Sequence, residues 1–282
     1  MSPEDGRRDP PFAVFDLHTH LHPPWLFAAI HRWFAERGWG FSHPTDPEQV
    51  VERLRAHGVE GFCFFSYAHR AGMARELNLW LAEQWRRFPQ GVPLGTFHPD
   101  DPDYLDVVDE ALDRHAFSGL KVHINVQRFY PDDPRALRVW ERLAERDRVL
   151  LIHVSRIPYP NEYVGMARFA RVMERFPTLR VCVAHMGGNE GEECFELMAR
   201  CPNLYLDTTM ALAPVAAPYM EVKPWVTNEQ LIAWQDRICF GSDFPIIPYD
   251  YAEEVRGIQD RKLPAEVERK IFYENACRFL GL

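Results

Sequence analysis

The feature that most constrains this chain is a series of eight short apolar segments that alternate with helix-like stretches over 282 residues. The segments are almost continuously apolar, which is typical of parallel strands buried on both faces. Eight such strands alternating with helices predict a (β/α)8 TIM barrel of the α/β class. No linker rich in Pro, Gly or Ser divides the chain, so we predict a single domain, 12–282, after a loose N-terminal tail, 1–11. The predicted strands are 12–20, 61–65, 92–97, 119–123, 149–154, 180–185, 203–207 and 238–243.

Helix boundaries are most clearly marked between the first two strands. Asp46 is a typical N-cap, Pro47 suits the first helical position, and Gly58 is a stop signal, so a helix is predicted up to His57. The aromatic-rich segment 21–45 is predicted partly to pack on the core and partly to form a pocket wall, with Trp25 nearest the site. Further helices are predicted over 71–88, 103–114, 134–146, 163–176, 190–200, 228–234, 251–259 and 264–280.

Polar side chains end or interrupt several of these strands. In a barrel of this kind the functional site lies at the carboxyl ends of the strands, where an unpaired buried imidazole or carboxylate is costly. A divalent cation would satisfy all of these groups at once, so the set predicts a metal site. The residues are His18 and His20 on strand one, Lys121 and His123 on strand four, His153 on strand five, His185 on strand six and Asp243 on strand eight.

The two histidines of strand one show how the geometry would arise. Residues i and i+2 of a strand point to the same face, so His18 and His20 are expected to project together, with Asp16 below them. Two imidazoles side by side on rigid backbone make half of a divalent metal site. An isolated His-x-His pair is more often structural, and the downstream strand ends are what favour the metal interpretation.

Charge and composition exclude several classes of function. The balance of 32 Lys and Arg against 41 Asp and Glu (net −9) argues against a nucleic-acid partner. No apolar run approaches the ~20 residues that span a bilayer, so no membrane partner is expected. The polar N-terminus does not resemble a signal peptide, and six cysteines without CxxC spacing are interpreted as reduced thiols of a cytoplasmic protein. The expected partner is a small-molecule substrate, and the oligomeric state stays open, a homo-oligomer included.

Several motifs together resemble the amidohydrolase superfamily, and most of all its amidohydrolase-2 branch, which also contains aminocarboxymuconate-semialdehyde decarboxylase. The likeness runs from about residue 12 to the C-terminus. The motifs are Asp16-Leu17-His18-Thr19-His20, Gly119-Leu120-Lys121-Val122-His123, His153 at the end of strand five, Ala184-His185-Met186-Gly187-Gly188, Asn203-Leu204-Tyr205-Leu206-Asp207-Thr208, Gly241-Ser242-Asp243-Phe244-Pro245 and Glu274-Asn275-Ala276-Cys277-Arg278.

The resemblance implies a role for each site residue. His18, His20, His153 and Asp243 would hold one divalent metal, and neutral imidazoles with one carboxylate suit zinc. Asp243 would also accept the proton of an activated water, while His185 would polarise or protonate the substrate.

Lys121 has two interpretations. In binuclear members of the superfamily a strand-four lysine is carbamylated and bridges two metals, and the spacing of Lys121 and His153 permits this second ion. The alternative is an ordinary ammonium that binds a substrate carboxylate or a nearby acid, and it is favoured here together with a single metal.

Two reactions fit the same ligands. One is hydrolysis of an ester, lactone or amide carbonyl by a metal-activated water, and the other is decarboxylation of an aromatic or unsaturated acid without a redox cofactor. Hydrolysis is favoured because it is the general reaction of the superfamily, whereas a catalytically inactive ligand-binding barrel is disfavoured because no ligand position is lost. Arg70, Arg128, Arg156 and Lys223 lie in strand-end loops and could clamp a carboxylate; Lys121, His123, Arg156 and Trp25 are the predicted substrate-binding residues.

Overall fold

The computed structural model describes residues 13–220 and 226–282. Within this part of the chain eight parallel strands form two hydrogen-bonded groups, β1–β2–β3 and β4–β5–β6–β7–β8. The predicted tail 1–11 and Lys223 lie outside the described residues. The strands are β1 Val14–His20, β2 Val59–Phe65, β3 Gly91–Leu94, β4 Gly119–His123, β5 Val149–His153, β6 Val181–Val183, β7 Leu204–Asp207 and β8 Ile238–Cys239.

Two parallel bridges join the strand groups into a closed barrel. Gly95, just after β3, pairs with Leu120 of β4, and the amide of Lys121 donates to the Gly95 carbonyl at 2.8 Å. On the other side Thr19 of β1 pairs with Phe244, which follows β8. Closure satisfies the backbone groups that open edge strands would expose. The predicted (β/α)8 barrel is therefore confirmed.

Helices alternate with the strands along the chain. Asp46 caps α2 by accepting from the amides of Glu48 and Gln49, and Pro47 is its first residue, as the start signals predicted. The predicted C-terminal helix 264–280 is interrupted by a π-helical turn, Lys270–Glu274. The helices are α1 Pro24–Ala35, α2 Pro47–Ala56, α3 Ala74–Arg87, α4 Tyr104–Asp109, α5 Ile124–Gln127, α6 Pro134–Glu145, α7 Met166–Arg175, α8 Gly191–Arg200, α9 Ala217–Met220, α10 Asn228–Ala233, α11 Ala252–Gln259, α12 Ala265–Arg269 and α13 Asn275–Leu280.

Alternate residues of the strands fill the barrel below the polar strand ends. Leu17, Cys63, Leu151, Cys182 and Cys239 belong to one buried cluster, to which α13 contributes Phe279 and Leu280. Their sequence neighbours on the strands pack instead against the surrounding helices in a second, larger cluster. The apolar interior supplies a rigid floor for the site above it. Among the described residues no helix is long and apolar enough to cross a membrane.

β1 departs from the regular alternation that the sequence predicted. Its pairing with β2 is irregular between Asp16 and Thr19, and Leu17 belongs to the interior cluster. The Asp16 carboxylate accepts from Ser242 Oγ at 2.6 Å and from Tyr251 OH at 3.0 Å, so it ties β1 to the chain after β8 and to the start of α11. The prediction that Asp16 lies below His18 and His20 on one face is wrong, because this irregularity changes the face.

Candidate metal centre and its cavity

A cavity of about 730 Å³ lies above the strand ends. Its floor is polar and its outer walls are largely apolar, from α1 and from the loops after β2, β4 and β5. The predicted site residues that line it are His18, His20, Trp25, Lys121, His123, His153, His185 and Asp243.

The Asp243 carboxylate stands against both histidines of β1. Its Oδ1 atom lies 3.1 Å from His18 Nε2 and 2.8 Å from His20 Nε2. Burial alone would raise the pKa of Asp243, but the charge of His18 and hydrogen bonds from both imidazoles hold it well below the usual value. Asp243 follows a strand that ends already at Cys239, and it adopts a left-handed φ of 66° while its amide donates to the His18 carbonyl at 2.8 Å. A tight turn, rather than the strand itself, thus aims this carboxylate at the histidines.

Asp207 is a site residue that the predicted set did not include. Its Oδ2 lies 2.8 Å from His18 Nδ1, and its Oδ1 accepts from the amides of His185 at 2.9 Å and Thr209 at 3.2 Å. Burial opposes ionisation, yet the charge and hydrogen bond of His18 lower the pKa of Asp207 to about 2. His18 Nδ1–H donates to this carboxylate, and the contact orients the ring so that its Nε2 atom points toward Asp243. The sequence signal was available, since Asp207 ends an apolar strand in the same way as the predicted residues.

His185 completes a group of three potential metal donors. Donor atoms of His18, His185 and Asp243 lie within 4.8 Å of one another. His185 Nδ1 is 3.1 Å from the Thr209 carbonyl, which leaves Nε2 free, and burial lowers the pKa of this imidazole to about 4. β6 ends at Val183, and both His185 and Met186 take left-handed φ values of 56° and 49°. His185 is therefore aimed by a strained turn and not by the strand.

His153 faces the same group but makes a different contact. Its Nε2 lies 2.9 Å from the Ile157 carbonyl oxygen, and its ring stacks on His123 at a centroid distance of 4.0 Å. The ring centroid is 4.8 Å from that of His185. Burial lowers the pKa of His153 and His123 well below the usual value, so both imidazoles are neutral. In this conformation His185, and not His153, stands beside His18 and Asp243.

The donor set fits a divalent cation. Burial also lowers the pKa of His20 to about 4, so this ring too is neutral, the form that binds metal. His20 Nδ1 and His123 Nδ1 are buried without a hydrogen-bond partner among the described residues. Imidazoles that converge on one carboxylate are the chemistry of a zinc, manganese or similar site.

Lys121 lies beneath the donors. Its side chain is buried, with Nζ 3.3 Å from His18 Nε2 and 4.8 Å above the centre of the Phe65 ring. Burial lowers the pKa of Lys121 to about 8. Among the described residues no carboxylate lies within ion-pair distance of its ammonium, so its closest polar partner is the imidazole.

The two remaining predicted residues differ in their position. Trp25 lines the cavity from α1 with about half of its surface exposed. Arg156 does not line it, because its Nη1 pairs with Glu190 Oε1 at 2.8 Å and its amide donates to the same carboxylate. Glu190 also accepts from the Met166 amide, so this pair fixes the loop after β5 to the start of α7.

A family model described as amidohydrolase matches residues 15–282. This span includes all eight strands, apart from the first residue of β1, and every residue of the candidate metal centre. The chain therefore belongs to the amidohydrolase family, and the resemblance drawn from its motifs is confirmed. Among curated protein sequences, none matches this chain.

Solved structures share the fold at low sequence identity. An uncharacterised TIM-barrel protein from Bordetella bronchiseptica is 19% identical with a TM-score of 0.75, over 96% of this chain and 99% of that one. A 5-carboxyvanillate decarboxylase from Novosphingobium aromaticivorans, complexed with manganese and 4-hydroxy-3-methoxy-5-nitrobenzoic acid, is 16% identical with a TM-score of 0.69, over 97% of both chains. A 4-oxalomesaconate hydratase from Rhodopseudomonas palustris is 14% identical with a TM-score of 0.62, over 95% of both chains.

Proposed function

We propose that this chain is a metal-dependent hydrolase that cleaves an ester, lactone or amide carbonyl in a small, carboxylate-bearing substrate. The observation that supports it best is the convergence of His18 Nε2 and His20 Nε2 on one oxygen of Asp243, at 3.1 and 2.8 Å. This group lies at the floor of a cavity large enough for a small organic substrate. The proposal also covers a cytoplasmic location, which suits the free thiols of all six cysteines.

We assign the metal to His18, His20, His153 and Asp243. When bound there, a divalent ion would act as a Lewis acid that polarises an oxygen of the substrate or of a water. The donor set suits zinc, whereas the solved Novosphingobium decarboxylase contains manganese, so both ions belong in any metal titration. His185 lies as close to His18 and Asp243 as a metal ligand would. An imidazole that transfers protons within the site needs the same proximity, so this position suits the proton-transfer role.

Asp243 and His185 are the residues that handle protons. The Asp243 carboxylate lies against His18 and His20, and its oxygens can take a proton from the attacking water and pass it to the leaving group. His185 donates Nδ1–H to the Thr209 carbonyl, so its Nε2 accepts a proton first and can then deliver it. The carboxylate of Asp207 contacts both the His18 ring and the His185 backbone amide. These two contacts fix the position of His185 relative to His18.

Non-oxidative decarboxylation is the second candidate. It is favoured by the similarity to the manganese-containing decarboxylase and by a cavity that combines aromatic walls with the polar floor. In this reaction His185, once protonated at Nε2, would deliver the proton to the carbon that loses carbon dioxide. The two reactions use the same donors, so products must distinguish them.

The test is a product screen on protein loaded with zinc or manganese. Lactones, amides, esters and carboxylated aromatics are each incubated with the enzyme, with carbon dioxide and carboxylic acid products measured in parallel. A hydrolysed product without carbon dioxide supports the first proposal, whereas release of carbon dioxide replaces it by the second. A protein that retains no stoichiometric metal after loading would contradict both and indicate an inactive ligand-binding barrel.

A further inference from the structure

The outer cavity has an apolar wall made by one helix. Trp25, Ile30 and Trp33 of α1 line it, and Trp25 and Trp33 keep 51% and 41% of their surface exposed. Exposed indole rings at the rim of a deep cavity are typical of a ligand-binding surface. Trp33 also meets Tyr159, from the loop after β5, edge to face at 4.9 Å, so the wall continues onto the facing loop.

Two exposed arginines line the same cavity with no carboxylate partner among the described residues. Arg70 lies in the loop after β2 and Arg128 directly after α5, and neither has a carboxylate of the described residues within ion-pair distance. Other arginines near the strand ends are paired: Arg135 lies 2.8 Å from Asp133, and Arg156 lies 2.8 Å from Glu190. A guanidinium that faces a cavity with no internal partner is suited to a carboxylate of a ligand.

The backbone at Arg128 supports this role. Its φ of 58° and ψ of 51° are left-handed, a conformation that glycine or asparagine adopts more easily than arginine. The preceding Gln127 fixes the turn, because its side chain donates to the Phe97 carbonyl at 2.6 Å and accepts from the His123 amide at 2.7 Å. A rigid buried scaffold therefore presents an arginine where a smaller residue would form the turn more easily.

The charges of the cavity lie in two regions, the floor with Asp243 and Lys121 and the outer walls. Asp243 is the one acidic residue among the described residues that line it, and it lies on the floor against His18 and His20. The cations Arg70 and Arg128 belong to the loops that form the outer walls. A substrate that fits both regions must present one polar group to the floor and an anion to the outer part.

We propose that the substrate is a two-ended acid. Its reacting group lies at the histidine and aspartate floor, an aromatic or alicyclic body packs against the α1 wall, and a second carboxylate binds Arg70 and Arg128. This inference deepens the proposed function and rests on it for the reacting end alone. The cavity of about 730 Å³ exceeds what a single small ring fills, which agrees with a body that reaches from floor to rim.

The test uses metal-free protein, so that a probe carboxylate has no metal to bind. Biphenyl-4-carboxylate and the isosteric biphenyl-4-carboxamide are titrated separately by calorimetry. The carboxylate should bind at least about tenfold more tightly, the ratio that one charged hydrogen bond supplies. Arg70→Met and Arg128→Met should each reduce this preference and the double variant should abolish it, with amide binding unchanged. Arg168→Met is the matched control, because Arg168 pairs with Asp132 and does not line the cavity.

Three outcomes would overturn the proposal. They are equal affinity for the two probes, a preference that survives the double variant, and a preference that Arg168→Met removes equally. Trp33→Ala should weaken both probes alike, and undiminished binding of both would refute the apolar wall. Thermal melting of each variant verifies folding. Because these titrations contain no metal, their failure leaves the proposed reaction standing, and absence of metal loading or turnover leaves the carboxylate subsite standing.

Discussion

Replacing Asp207 by Asn should weaken metal binding without unfolding the protein. The asparagine Oδ1 can still accept from the amides of His185 and Thr209, which now lie 2.9 and 3.2 Å from the carboxylate. Its Nδ2, however, is a donor facing His18 Nδ1, which is 2.8 Å from the present Oδ2. A neutral His18 ring must then carry its proton on Nε2, so this atom has no lone pair to offer a metal.

The structure sets the size of this effect. The pKa of Asp207 is lowered from 3.8 to about 2, and this corresponds to roughly 2.4 kcal/mol in favour of the ionised form. Loss of such an orienting carboxylate typically reduces metal affinity by about 10- to 100-fold, or ~1.4–2.8 kcal/mol. The pKa shift shows that Asp207 and His18 interact strongly, and we expect the dissociation constant for zinc to rise by about 10- to 100-fold when this interaction is lost.

Chelator competition measures the affinity, and nitrogen NMR of the histidine rings reports which atom of His18 holds the proton. Asp147→Asn is the matched control, because this carboxylate is 84% exposed and contacts Arg180 away from the cavity. Unchanged zinc affinity in Asp207→Asn, or an Nδ1-protonated His18 in that variant, would refute the orienting role. Circular dichroism separates a loss of affinity from a loss of fold.

Further substitutions test the ligands, the buried aspartate and one helix cap. His185→Asn should retain about one metal ion while turnover falls by roughly 10²–10⁴, and His18→Ala and His153→Asn should lose metal and turnover together, as metal analysis with rate measurements will show. If instead His185→Asn loses the metal and His153→Asn retains it, the two roles are exchanged. Burial raises the pKa of Asp16 to about 7, so its folded form prefers the proton, and the unfolding free energy of the metal-free protein should decline as pH rises from about 4 to about 7. Asp16→Asn should remove that decline in urea titrations at several pH values; an identical pH slope in both proteins would contradict it. Asp46→Ala should lower the unfolding free energy by ~1 kcal/mol in the same titrations, since it removes the cap of α2, and an unchanged urea midpoint would exclude the cap.

The sequence predicted the barrel well because its apolar runs are long enough to be recognised, even where the strands themselves are short. β4 and β5 illustrate this, since Gly119–His123 has the bounds predicted and Val149–His153 differs by one residue. Alternation failed at β1, where an irregular pairing moved Asp16 away from the two histidines. Such irregularities depend on contacts across the sheet, which a local pattern does not contain.

The residue types of the candidate site could be predicted from the sequence, but the backbone conformations that position them could not. His185 and Asp243 were expected on strands, whereas both lie in left-handed turns beyond short strands. Asp207 ends an apolar strand as the predicted residues do, but its role in orienting His18 depends on a hydrogen bond that spacing does not encode. Arg156 looked equivalent to Arg70 and Arg128 in sequence, and only the position of Glu190 distinguishes it.

The bridge between Thr19 and Phe244 has a consequence for how the molecule is assembled. His18 and Asp243 flank this junction, so donors 225 residues apart in sequence (243 − 18) meet where the first and last strands join. A nascent chain without its final strand lacks Asp243 and cannot form the complete proposed metal site. Metal bound there would stabilise the closed barrel. It would add ~2.7 kcal/mol to the free energy of unfolding at a metal concentration one hundred times the dissociation constant. Chains that are truncated or only partly folded would not gain this stabilisation, so the ion would stabilise only chains with a complete barrel.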